Sequence, residues 1–177
     1  IIEYEDHPTC WGSHALEGRQ SSMSATVAQK LLDSGAIIIG KTQSVEFALG
    51  GWGTNQYLGT PRNPWDLQKS PAGSSAGSGA SVAAGLVSGS IGGDTGGSIR
   101  GPGSVNGIVG LRPSWGRLSR QGIFTLSWEM DTAGPLARSA EDTAIMLGTI
   151  AGYDPGDPTT SSLPVPDYLE YLGSGIK

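Results

Sequence analysis

The chain has 177 residues, of which 29 are glycine and only 15 % are charged, with a formal net charge of −5 and a pI near 4.9. That length suits one domain with a sizeable core, and the acidic balance argues against a nucleic-acid-binding surface. A single cysteine, Cys10, excludes an internal disulfide and makes a cysteine metal cluster implausible, and no apolar run is long enough to cross a membrane.

The expected elements follow in chain order. Pro8, Thr9 and Trp11 supply neither base nor positive charge, so Cys10 reads as a small buried residue rather than a nucleophile. Residues 26–35, TVAQKLLDSG, read as a helix with Val27, Leu31 and Leu32 on one face and Gly35 as its C-terminal cap. AIIIGK, 36–41, follows as a buried strand by its β-branched content and short length. Residues 52–73 hold three prolines and read as an ordered loop, with Trp52 and Trp65 expected out of water. A small-residue helix is expected over 78–87, a short strand at SGSIGGD, a helix from Ser98 and another short strand at GIVGLRP. The clearest helix is 140–151, capped by Ser139 and Asp142, with Ala140, Ala144, Leu147 and Ala151 as its apolar stripe. Residues 154–167 read as a Pro-rich loop. Helix leading straight into apolar strand indicates an α/β fold, a mixed β-sheet covered by helices.

The stretch GGDTGGSIRG wraps glycines around Ser98. Without Cβ atoms at Gly96 and Gly97, a substrate carbonyl can approach the backbone N–H groups of a strand-to-helix turn. Two readings stand open on this stretch alone: an exposed serine nucleophile beside an oxyanion site, or a structural or anion-binding glycine turn. A nucleophile needs a base. His7 and His14 lie in a polar segment with no orienting carboxylate pattern and read as loop histidines. Lys41 ends an apolar run, where a lysine either snorkels to the surface or is functional; taken alone, snorkelling is favoured. A second glycine–serine cluster, SPAGSSAGSG at 70–79, has no preceding apolar strand and matches no nucleotide-binding pattern.

Taken together, GKTQSVEFALGGWGTN, GTPRNPWD, SPAGSSAGSGASVAAG, GGDTGGSIRGP, GIVGLRPSWGRLSRQG, MDTAGPLARSAEDTAIML and IAGYDPGDPTTS resemble the amidase signature family, in that family's order and spacing. The resemblance covers about Asp6 to Ser161. It implies a Ser–cis-Ser–Lys triad made of Ser98, Ser74 and Lys41, with Gly73 before a cis peptide bond at Ser74. It also implies an oxyanion hole from the N–H groups of Thr95, Gly96, Gly97 and Ser98. In that scheme Ser98 attacks a carboxamide carbonyl, Ser74 relays the proton, and neutral Lys41 accepts it. An ordinary lysine at pH 7 would pay roughly 4.6 kcal/mol for neutrality, so burial behind AIIIG is the expected remedy. Arg100 is expected to tie the loop together more readily than to grip a substrate carboxylate, and Asp94 to form the turn. Asn63, Trp65 and Asp66 are expected to hold the long loop.

The implied activity is hydrolysis of a carboxamide or related C–N bond through a seryl acyl-enzyme, without cofactor or metal. The alternative is the glutamine-hydrolysing amidase subunit of a tRNA-dependent amidotransferase. Expected partners are a small-molecule amide and either a second copy or amidotransferase subunits, with neither nucleic acid nor membrane. No charged-then-apolar leader opens the chain, and the expected location is the cytoplasm. Ala76 stands where many relatives have glycine, and Gly101 precedes Pro102. The absence of an initiating Met and the loop-like GSGIK ending suggest a fragment or processed piece, and the resemblance, to a family whose domains are far longer, implies a single amidase signature domain, 1–177, incomplete at both ends.

Overall fold

A computed structural model describes residues 1–175. The last two residues of the GSGIK run lie outside the described residues.

Helix α1, Thr26–Asp33, buries Val27 and Ala28. It stops at Gly35, whose φ of +86° is the left-handed conformation that an L side chain resists. The N–H groups of Gly35 and Ala36 close the end on the Leu32 and Leu31 carbonyls, at 2.9 and 3.0 Å. The AIIIGK run that follows is not a strand. Ile37 and Ile39 are 88 % and 71 % exposed, which corrects the buried strand expected there. A strand needs partners on its flanks, and none of the described residues pairs with this run.

The sheet has three strands in the order β1–β3–β2. Strand β1 is Gly89–Asp94, β2 is Val109–Gly110 and β3 is Thr132–Ala137. Both pairings are antiparallel, with Ile91 opposite Pro135 and Val109 opposite Ala137. All six residues of the central strand β3 are buried. The run expected at GIVGLRP keeps only two residues of ladder, although the Leu111 N–H still reaches the Pro135 carbonyl at 3.0 Å.

Helix α2, Ala76–Ala83, begins two residues earlier than expected, and helix α3 covers Arg100–Val105. Between them Ile99 is completely buried. It is seated by glycines of all three strands: a Cβ at Gly92, Gly110 or Gly134 would lie 3.2 Å or less from an Ile99 atom. The residue after Ser98 is thereby pinned into the sheet, and a side chain at any of those glycines would push it out.

Helix α4, Ala140–Ile150, has the expected cap: Ser139 Oγ accepts from the Asp142 N–H at 3.0 Å. Its buried face is Thr143, Leu147 and Ile150. Ala140 is exposed, so the stripe is rotated from the one expected. Leu147 and Ile150 pack with Val27, Leu118 and Ala133 into the main apolar cluster. The loops at 52–73 and 154–167 are present as expected. Trp52 and Trp65 are 78 % and 75 % exposed, contrary to expectation. Trp65 is placed by its polar edge instead, Nε1 donating to the Asn106 carbonyl at 2.8 Å. Asn63 is buried and donates to the Val105 carbonyl at 2.8 Å, and Asp66 closes a turn on the Gln68 N–H.

Candidate active site

Asp94 ends β1 and is fully buried. Its carboxylate accepts from the N–H groups of Gly97 (2.8 Å), Ile99 (3.1 Å) and Arg100 (3.3 Å), and from the Arg100 guanidinium at 3.1 and 3.0 Å. The Arg112 Nε lies 3.4 Å away. Burial alone would raise the Asp94 pKa; the Arg100 guanidinium and the three N–H donors outweigh it and hold the carboxyl below its ordinary value. Arg100 is thus spent on the loop. The same bonds fold 95–98 into a tight turn around the carboxylate, with Gly97 at φ +136°.

Because its N–H is committed to Asp94, Gly97 is removed from the expected oxyanion donors. The N–H groups of Thr95, Gly96 and Ser98 donate to no protein acceptor among the described residues. A Cβ built on Gly96 or Gly97 would meet nothing within 4 Å. The space over the turn is open, and free donors border it. That arrangement suits a developing negative charge on a substrate oxygen. Ser98 is half-buried, and its hydroxyl is not hydrogen-bonded among the described residues.

Ser74 follows a cis Gly73–Ser74 peptide bond and is buried. A Cβ at Gly73 would lie 2.7 Å from the Gly53 nitrogen, so only glycine fits against that loop. The next residue joins Ser74 to the Ser98 turn: the Ser75 N–H donates to the Ser98 carbonyl at 3.3 Å, and the Gly93 N–H donates to Ser75 Oγ at 3.2 Å. The segment after Lys41 is stapled to the start of α2. Thr42 Oγ1 bonds Ser78 Oγ at 2.8 Å, the Gly77 N–H donates to the Gln43 carbonyl at 2.9 Å, and the Val45 N–H donates to the Ser74 carbonyl at 3.2 Å. Gly77 permits this approach, since a Cβ there would lie 2.6 Å from the Gln43 backbone.

Lys41 as a whole residue is exposed, and its amine donates to Thr9 Oγ1 rather than to Ser74. The amine itself is half-enclosed. Burial lowers its pKa below the ordinary lysine value, Arg19 adds to the shift, and Glu3 and Cys10 oppose it. The expected dry site behind a strand is replaced by an open cavity of about 660 Å³ that Lys41, Ser74, Ser75 and Ser78 line together. Ser74 also lines a second, small cavity with Asp94, Thr95, Phe124 and Leu126.

A family model described as Amidase matches residues 1–174. The chain belongs to the amidase family. Among curated relatives, it is 47 % identical over 169 residues to a glutamyl-tRNA(Gln) amidotransferase subunit from Geobacter sp. (strain M21), covering 96 % of this chain and 35 % of that protein. It is 45 % identical to the corresponding protein from Acidobacterium capsulatum, covering 100 % and 37 %. The chain therefore spans about a third of the length of these relatives. Among solved structures, the corresponding glutamyl-tRNA(Gln) amidotransferase subunit from Thermotoga maritima superposes with a TM-score of 0.95 at 38 % identity, over 98 % of this chain and 38 % of that one. The peptide amidase from Stenotrophomonas maltophilia superposes at 0.88 with 42 % identity, over 96 % and 36 %. The sheet-plus-helix fold is that of the amidase signature.

Within this family fold, Lys41 and Ser74 share one cavity and Ser74 and Thr95 share another. Ser98 lines neither cavity, nor do His7 and His14. His7 stacks on Tyr4, and His14 lies 3.3 Å from the Glu17 carboxylate. Cys10 is half-buried and its thiol is free. Among the described residues no group of acids, histidines and cysteines could hold a metal ion, and no helix is long and apolar enough to cross a membrane. Three side chains at the site were not singled out from sequence: Thr9 under Lys41, Arg112 beside Asp94, and Asp131, which accepts from the Thr95 hydroxyl. Each lies many positions from the residue it meets, and no local pattern connects them.

Proposed function

We propose that the chain carries the reaction centre of an amidase that hydrolyses a carboxamide or related C–N bond through a seryl acyl-enzyme. The observation that carries this reading is Ser74, which lines the cavity holding Lys41 and also the one holding Asp94 and Thr95 of the nucleophile turn. Ser98 Oγ attacks the carbonyl carbon. Its proton passes through the Ser74 hydroxyl to neutral Lys41, which leaves Thr9 for Ser74 by a side-chain rotation within their shared cavity. The oxyanion is held by the N–H groups of Thr95, Gly96 and Ser98. The proton returns to the departing amine, and water then cleaves the ester. No cofactor enters this scheme, and its partner is a small-molecule amide in a cytoplasmic setting.

A fluorophosphonate probe tests the reading. Phosphonylation should map to Ser98 and vanish in Ser98→Ala; labelling that persists in that variant would overturn it. The names of the amidotransferase relatives favour a second reading, in which glutamine is the amide and partner subunits receive the ammonia. Ammonia release from glutamine only in the presence of such subunits would select it over a free-standing amidase or a homodimer.

A further inference from the structure

The loop from Phe124 to Asp131 lies against the nucleophile turn, yet no step above uses it. Both carboxylate oxygens of Asp131 are engaged. Oδ1 accepts from the Thr95 hydroxyl, and Oδ2 accepts from the N–H groups of Leu126 and Ser127 at 2.7 and 2.9 Å. A second tie runs through Arg112, whose Nη2 donates to the Met130 carbonyl at 2.8 Å while its Nε faces Asp94. The loop also forms the apolar wall of the small cavity, where Phe124 and Leu126 line the space shared with Ser74 and Thr95.

Asp94 pins the far side of the turn through Gly97, Ile99 and Arg100. Gly96 and Gly97, by contrast, have nothing packed above them. The near side therefore depends on whatever holds Thr95. We propose that Asp131 is a positioning residue for acylation, acting through the Thr95 hydroxyl to aim the Gly96 and Ser98 N–H groups and to couple that aim to the pocket wall. This inference rests on the reading of Ser98 as the nucleophile. Misplacement by about 1 Å of a group that stabilises a transition state costs on the order of a hundredfold in rate, so a lost anchor is measurable without loss of fold.

The test is the kinetics of phosphonylation by a fluorophosphonate, in which the Ser98 Oγ–P bond forms, the P–F bond breaks, fluoride departs and the serine proton goes to the base. Saturating rate and half-saturating concentration are separated for wild type, Thr95→Val, Thr95→Ser, Asp131→Ala and Thr95→Val/Asp131→Ala, with unfolding midpoints recorded for each. Thr95→Val should lower the saturating rate roughly 10- to 100-fold, with the half-saturating concentration within about twofold. Thr95→Ser, which keeps the hydroxyl, should restore it. Adding Asp131→Ala to Thr95→Val should cost less than adding it to wild type. If Asp131→Ala does not fold, the Thr95 pair still decides. A Thr95→Val rate equal to wild type, or no rescue by serine, overturns the inference while the nucleophile assignment stands. A wild-type protein unlabelled at Ser98 overturns both.

Discussion

The turn around Ser98 and the segment around Lys41 differ in how they are held. The turn is internally braced: one buried carboxylate collects three backbone donors and a guanidinium, and Ile99 locks the following residue into the sheet. Among the described residues, the backbone of the lysine segment is tied to the rest of the site after position 41, where Thr42, Gln43 and Val45 bond to α2 and Ser74, while Ile37 and Ile39 stand in the open. The contrast teaches that the attacking half of the proposed triad is preorganised by the chain itself. The proton-accepting half depends on where one long, rotatable side chain comes to rest.

Removing the amine strikes the loosely held half. Lys41→Ala should lower phosphonylation at neutral pH about a thousandfold, the scale of a lost general base, with partial recovery at high pH where hydroxide substitutes. Stopped-flow labelling checks this. On the braced half, Gly96→Ala introduces a methyl group that meets nothing in the protein. It should leave the unfolding midpoint unchanged and slow labelling by roughly a hundredfold, because the methyl occupies the space needed by the substrate oxygen. A variant that labels normally would show that the open face is not where the oxyanion sits.

Stability should divide the two regions as well. Asp94→Ala strands buried donors and should cost roughly 2–4 kcal/mol in urea unfolding. Since the folded-state pKa of Asp94 is depressed, its contribution is fully present above the unfolded value of about 3.9 and is lost as pH falls through the folded value. The wild-type advantage over Asp94→Ala should therefore shrink in acid. The smallest effect is expected from Ile37→Thr, within about 0.5 kcal/mol. A large loss there would mean that the segment is packed after all.

The elements legible in the sequence were those whose ends carry their own chemistry. Helix α4 declared itself through Ser139 and Asp142, and α1 through Gly35. Strand β3 did not, since Gly134 and Pro135 read locally as breakers, and its place at the centre of the sheet comes from burial on every residue. AIIIGK failed in the opposite direction: an apolar run looks like a strand, but its state depends on neighbours that local pattern cannot supply. At the site, the surrounding glycines single out Ser98 but leave two readings open, and Lys41 and Ser74 are assigned through the resemblance. Asp94 reads as a turn-former and Arg100 as tying the loop, but the bonds between them were not foreseen. The bond between Thr95 and Asp131 spans 36 positions and had no local signature.

The central claim is that Ser98 is armed by proton transfer to an amine whose burial lowers its pKa from the ordinary lysine value. The most direct measurement is the rate of Ser98 phosphonylation against pH in wild type and Lys41→Ala. Wild type should rise to a plateau through one ionisation below the ordinary lysine value of 10.5, and the variant should lack that ionisation and show only the hydroxide-dependent rise at high pH. Superimposable profiles in the two proteins would contradict the account.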